Sequence, residues 1–248
     1  MKVVITGGAG FLGKKLARRI LQQGEIAGPS GRPEKVSELL LFDVARASGP
    51  GLDDPRVKAL DGDISNFATV QSIMQGAATV FHFAAVVSAG AEADFDLGYR
   101  VNLDGTRNVL EACRALGTNP RVVFTSSLAA FGGDLPPAVT DDTPLTPQTS
   151  YGSQKSIGEF LVRDYTRKGF LRGTSVRLPT ICVRPAIRWS TWAVQHPNDA
   201  TIPTSVRPWA VRSCRAMPTS ASRSAVAGSA SRSPRTRCRA CAPQRCTT

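Results

Sequence analysis

Tyr151 and Lys155 stand four residues apart in Tyr151-Gly152-Ser153-Gln154-Lys155, a spacing that places both on one face of a helix. An ammonium so placed can stabilise a phenolate, drawing the phenol pKa from about 10 toward working pH. Tyr151 could then take a proton from a substrate alcohol. Ser126 and Ser127 close the apolar run Val122-Val123-Phe124-Thr125, where a hydroxyl can hydrogen-bond a substrate oxygen as it changes from alcohol to carbonyl. A Tyr-x-x-x-Lys pattern recurs by chance on solvated helices, so its weight comes from what accompanies it.

What accompanies it is a phosphate-binding turn. Thr6-Gly7-Gly8-Ala9-Gly10-Phe11-Leu12-Gly13 follows a four-residue apolar run and opens an amphipathic stretch. Gly7 permits a tight turn, Gly10 lets backbone approach a pyrophosphate, and Gly13 lets the helix pack close to the sheet. The helix start at Phe11 and Leu12 offers unpaired N–H groups and a positive dipole end to the phosphates of a dinucleotide. Asp43 ends Leu39-Leu40-Leu41-Phe42-Asp43, where a carboxylate can accept from both adenosine ribose hydroxyls and would repel a 2′-phosphate. That selects NAD over NADP. Asp63-Ile64, after the third apolar run, could place a carboxylate near the adenine amino group, or could be a simple turn.

These groups need a scaffold. Val3 to Thr6, Leu39 to Phe42, Val57 to Leu60, Thr79 to Phe83, Val122 to Thr125 and Ser175 to Leu178 read as strands. Phe11 to Gln22, Phe67 to Met74, Val101 to Leu116 and Tyr151 to Tyr165 have helical spacing. The strands are apolar on both faces, as in a parallel sheet covered on each side. The expectation is a doubly wound α/β (Rossmann) domain over residues 1–185 that carries the Ser, Tyr and Lys set.

Charge divides the chain at the same place. The 248 residues carry a formal net charge of +12, of which +9 belongs to residues 186–248, with Asp199 the one acid there. That stretch is rich in Arg, Ser, Ala, Thr and Pro and has no apolar periodicity. It reads as a disordered basic extension, or as the product of a reading frame lost near residue 186, the reading we favour. Its arginines come without a base-reading motif, so no specific nucleic acid is expected. Cys238-Arg239-Ala240-Cys241 offers too poor a ligand set for zinc, and no metal is expected. Met1 leads straight into a strand and no apolar run approaches the roughly 18 residues of a membrane span. A cytoplasmic protein with free thiols, and no membrane partner, is the expectation.

Thr6 to Gly13, His82-Phe83-Ala84-Ala85, Asn102, Ser126-Ser127 and Tyr151 to Lys155, in this order, resemble the extended short-chain dehydrogenase/reductase superfamily of epimerases, dehydratases and dehydrogenases. Residues 91–96, 101–107, 140–147 and 177–185 resemble those members that oxidise the C2 hydroxyl of a small, D-erythronate-like sugar acid with NAD. The resemblance implies Ser127 as catalytic serine, Tyr151 as base and Lys155 as its activator. It puts Ala84 and Ala85 along the nicotinamide half of the cofactor, Asn102 in the active-site network, and Leu178 to Thr180 at the carboxamide. Arg184 would meet the substrate carboxylate, since a guanidinium offers a bidentate fork. His82 is expected as a packed core histidine. Other members continue into a substrate-binding portion where this chain has its basic stretch. A nucleotide-sugar epimerase or dehydratase, or a truncated inactive NAD-binding protein, therefore remain alternatives, and the resemblance leaves room for a homodimer.

Overall fold

Val3, Ile5, Leu39 and Leu41 have no solvent exposure, and neither does Val4, whose side chain alternates with theirs along the same strand. Only a strand covered on both faces buries every side chain in this way. The computed structural model describes residues 1–178. Six parallel strands form its main sheet: β1 (Lys2–Thr6), β4 (Glu38–Asp43), β5 (Val57–Asp61), β6 (Ala77–His82), β7 (Arg121–Ser127) and β8 (Arg172–Leu178). Their order is β5-β4-β1-β6-β7-β8. The chain steps outward from β1 in one direction, then returns to the other side of β1 through β6. The crevice at that reversal, outside the carboxyl ends of β1 and β6, is where such sheets bind ligands.

Helix α1 (Phe11–Gln23) packs Ala17 and Ile20 against Val3, Ile5, Leu39 and Leu41. The opposite face of the sheet, with Val4, Leu40, Phe42, Val80, Val122 and Phe124, meets residues of α2 (Phe67–Met74), α5 (Gly105–Leu116) and α6 (Ser150–Arg167). The fold is the expected Rossmann arrangement.

Three features depart from the sequence expectation. A small antiparallel hairpin pairs β2 (Glu25–Ala27) with β3 (Pro33–Lys35). Two short helices, α3 (Ser88–Ala93) and α4 (Phe95–Gly98), follow β6. The helix expected from Val101 becomes regular only at Gly105, because Tyr99–Asp104 is wound as a π-helix around the buried Asn102. A π segment widens the turn so that one side chain can leave the helical stack, a device frequent at functional sites. Thr180, Arg184 and the basic stretch lie outside the described residues.

Candidate functional site

Strand β1 ends at Thr6, and Gly7 follows with φ +74°, in the left-handed region that favours glycine. A Cβ there would sit 2.7 Å from Ala84 N and Phe83 C, so Gly7 is needed for close approach of the chain leaving β6 as well as for the turn. A Cβ at Gly13 would run into the Gly7 carbonyl and sit 2.8 Å from Gly8 Cα, which is the tight helix-to-turn packing expected of it. Gly10 is the N-cap of α1. No side chain caps that end and no acid lies in its first turn, so the N–H groups at Phe11 and Leu12 keep their positive field. This is a suitable cradle for a pyrophosphate.

Asp43, at the end of β4, accepts from Ala9 N at 3.0 Å through Oδ2 and from Val44 N at 2.8 Å through Oδ1. One carboxylate thus ties the glycine turn to the end of the neighbouring strand while keeping lone pairs for further donors. Asp43 and Val44 line a largely apolar cleft of about 280 Å³ with Ile64, Ala84, Ala85 and Val101. A nucleoside would find apolar walls and one carboxylate there.

The Asp63-Ile64 pair divides. Ile64 is buried against Gly105 and lines the cleft. Asp63 is exposed, and its Oδ1 takes Ser65 N–H at 2.8 Å, a bond that holds its carboxyl below the usual range. This bond anchors the turn that leads into α2 through Oδ1, while Oδ2 keeps its lone pairs for a further donor such as an adenine amino group. Ala84 and Ala85 share the cleft with Asp43.

The catalytic candidates come from β7 and α6. Thr149 caps α6 by accepting from Gly152 N at 3.0 Å, which sets Tyr151 in the first turn and Lys155 in the next. Ser127 ends β7, and its Oγ accepts Ala129 N–H at 3.2 Å. Burial raises the Tyr151 pKa, an effect that the nearby Ser127 hydroxyl offsets only in part. The fully buried Lys155 donates to Thr125 O at 3.0 Å, and its Nζ lies 5.7 Å from the centre of the Tyr151 ring. Burial lowers its pKa to about 8. The ammonium bonds a backbone carbonyl and faces the ring, and burial prevails at Tyr151. Ser126 alternates to the other side of β7, where its buried hydroxyl has no partner among the described residues.

Asn102 holds both polar groups of Val86, accepting from its N–H at 2.8 Å and donating to its carbonyl at 2.9 Å. It also donates to Gln154 Oε1 at 2.7 Å. It fixes the cleft wall at Val86 and joins it to α6. His82 is a core histidine, 2% exposed, bonded to Thr6 and Thr106, and burial lowers its pKa to about 3. Sequence reasoning missed Gln154 and Glu92. The signal for Gln154 was its place inside the Tyr-x-x-x-Lys spacing, whereas Glu92 carries no sequence signal of its role.

Residues 3–185 match the NAD dependent epimerase/dehydratase family, and the chain belongs to it. It is 57% identical over 186 residues to a D-erythronate dehydrogenase of Cupriavidus necator, covering 75% of this chain and 56% of that relative. Among solved structures it superposes on a nucleoside-diphosphate-sugar epimerase from Agrobacterium tumefaciens with TM-score 0.68 and 43% identity, over 75% of this chain and 55% of that one. A UDP-glucose 4-epimerase from Brucella ovis in complex with NAD gives TM-score 0.59 and 28% identity, over 71% and 51%. The chain spans about half the length of the relatives it matches.

Proposed function

We propose that residues 1–185 are the NAD-binding and catalytic part of an oxidoreductase that converts the C2 hydroxyl of a small, D-erythronate-like sugar acid to a ketone. The observation that carries this reading is a cleft that holds Asp43 beside the glycine turn and whose wall at Val86 is tied through Asn102 to the helix bearing Tyr151 and Lys155. The likeness to D-erythronate dehydrogenase supports the substrate class.

In this reading Gly7, Gly10 and Gly13 with the N–H groups at Phe11 and Leu12 hold the pyrophosphate, and Asp43 holds the ribose. Ile64, Ala84 and Ala85 wall the cleft, and Asn102 keeps that wall in place. NAD, when bound, supplies the hydride acceptor. Ser127 orients the substrate oxygen and Tyr151 removes its proton. Because burial holds the phenol above its usual pKa, ionisation near neutral pH requires nearby positive charge. Lys155 provides it while protonated, below about pH 8. Thr180 and Arg184 are assigned to the carboxamide and the substrate carboxylate on the resemblance alone. The same reading includes a cytoplasmic protein, with room for a homodimer.

A second reading, an NAD-binding protein without turnover, is favoured by the Arg-, Ser- and Pro-rich composition of residues 186–248, which follow the family match over residues 3–185. Fluorescence titration with NADH and an NAD-reduction screen over tetronates, aldonates and uronates separate the two. Turnover on a tetronate that falls by about two orders of magnitude or more in Tyr151→Phe, with NADH affinity unchanged, supports the dehydrogenase. NADH binding without turnover on any acid supports the second reading, and a folded chain that binds no NADH removes both.

A further inference from the structure

The buried imidazole of His82 has two hydroxyl partners, and their geometry fixes its tautomer. Thr106 Oγ1 donates its single proton to the Asn102 carbonyl at 2.6 Å. Toward His82 Nε2, 2.9 Å away, that hydroxyl can only accept, so Nε2 carries the ring proton. Nδ1 is then bare and accepts the Thr6 hydroxyl at 2.7 Å. The Thr6 oxygen, having given its proton, can take the Ala84 N–H at 3.4 Å. Every bond in the chain thus points one way at each atom, from Ala84 N–H through Thr6 to His82, and from His82 through Thr106 to Asn102.

Each end of this chain reaches the site. Ala84 lines the cleft and presses against Gly7, while Asn102 clamps Val86 and bonds Gln154, the residue before Lys155. We propose that His82, locked as the neutral Nε2–H tautomer, is a positioning residue that couples the glycine turn and cleft wall to the catalytic helix. This rests on the NAD-binding reading above. An imidazole is suited to the task because it accepts on one edge and donates on the other, at a fixed separation, between two threonines that each have one proton to give. A histidine that only filled space could adopt either tautomer. The full burial that keeps the ring uncharged supports the assignment, and Lys155 is the charged group that acts on it.

The test begins with two-bond proton–nitrogen correlation spectra of the ¹⁵N-labelled chain. It has two histidines, so the signals are assigned by loss of one set in His82→Gln. The Nε2–H pattern is expected, and an Nδ1–H pattern overturns the proposal. NADH titration then compares His82→Phe, which keeps ring volume without polar atoms, with His82→Gln, whose amide can still donate toward Thr106. Affinity is expected to fall about tenfold or more in His82→Phe and to recover in part in His82→Gln. Unchanged affinity in a folded His82→Phe overturns the proposal. If His82→Phe does not fold, the loss is read from His82→Gln against wild type: a lower NADH affinity supports the proposal and an equal one overturns it. If the wild-type chain binds no NADH, the cofactor reading fails by itself. The Val86 amide then decides: faster hydrogen exchange in His82→Phe supports the coupling, and unchanged exchange removes it.

Discussion

The Glu92 carboxylate accepts the backbone N–H of Tyr151 at 2.9 Å, so a residue of α3 caps the helix that carries the candidate base. With Thr149 taking the Gly152 N–H, two of the orphan donors of α6 have side-chain acceptors, one local and one 59 residues away. Because α3 follows the cleft wall at Val86, this single bond fastens the wall to the catalytic helix from outside, while Asn102 does so from within.

Removing that cap exposes its contribution. Glu92→Ala is expected to lower the urea unfolding free energy by about 1 kcal/mol, the usual size of a helix N-cap. Hydrogen exchange at the Tyr151 amide should accelerate in parallel. Glu92→Gln, which keeps an acceptor but no charge, should restore most of the exchange protection. An unchanged Tyr151 amide in Glu92→Ala would falsify the cap.

Gly7 combines a positive φ with close backbone neighbours. Gly7→Ala places a methyl 2.7 Å from Ala84 N in a backbone conformation with φ +74°. Strain of this kind costs about 1–3 kcal/mol before any clash is counted. The chain should lose melting temperature, and NADH affinity should drop by about tenfold or more. Melting curves and NADH fluorescence read the two effects separately.

The proposed ribose-binding role of Asp43 predicts a change in cofactor choice. Its carboxylate is held by Ala9 N–H and Val44 N–H and so cannot easily swing away from an incoming 2′-phosphate. Asp43→Asn keeps most of the hydrogen bonding and removes the repulsion. The NADH-to-NADPH affinity ratio should then fall by about tenfold, mainly through better NADPH binding. Parallel titrations with the two cofactors check this, and an unchanged ratio would exclude Asp43 from the ribose site.

Two buried bases give stability a predictable slope with pH. His82 has a folded pKa of about 3 against 6.5, so below pH 6.5 the unfolded chain binds the extra proton and stability falls as pH falls. Lys155 has a folded pKa of about 8 against 10.5, so stability rises as pH rises above 8. Each slope approaches roughly 1.4 kcal/mol per pH unit. The windows near pH 5–6 and 8–9 are the informative ones. Further up, the buried Cys113 thiol, raised from 9.0 to about 12, opposes Lys155 by losing its proton more readily in the unfolded chain. Urea midpoints across both windows test the slopes. His82→Gln should flatten the acid window and Lys155→Met the alkaline one.

Much of this architecture was legible before any coordinates. Runs such as Val3-Val4-Ile5 and Leu39-Leu40-Leu41 announce strands buried on both faces, and Phe67 to Met74 is a helix with the bounds its periodicity suggested. The hairpin of Glu25–Ala27 and Pro33–Lys35 escaped because three-residue, partly exposed strands have too little periodicity to read. The delayed start of the helix at Gly105 escaped for a different reason. Winding Tyr99–Asp104 as a π segment lets Asn102 bond Val86 and Gln154, partners that no local pattern contains.

The sequence by itself determined the six strands of the main sheet, the glycine turn, and the presence of Asp43, Ser127, Tyr151 and Lys155, because apolar spacing and glycine placement are local properties of the chain. Tertiary structure alone decided how these groups are used. It turned Asp63 to Ser65 and put Ile64 in the cleft, bonded Lys155 to the Thr125 carbonyl, fixed the tautomer of His82, and brought Glu92 to Tyr151. The reason is physical. A buried polar group takes whatever partner the packing brings within hydrogen-bond reach, and the partners that set this site lie up to 78 residues away along the chain.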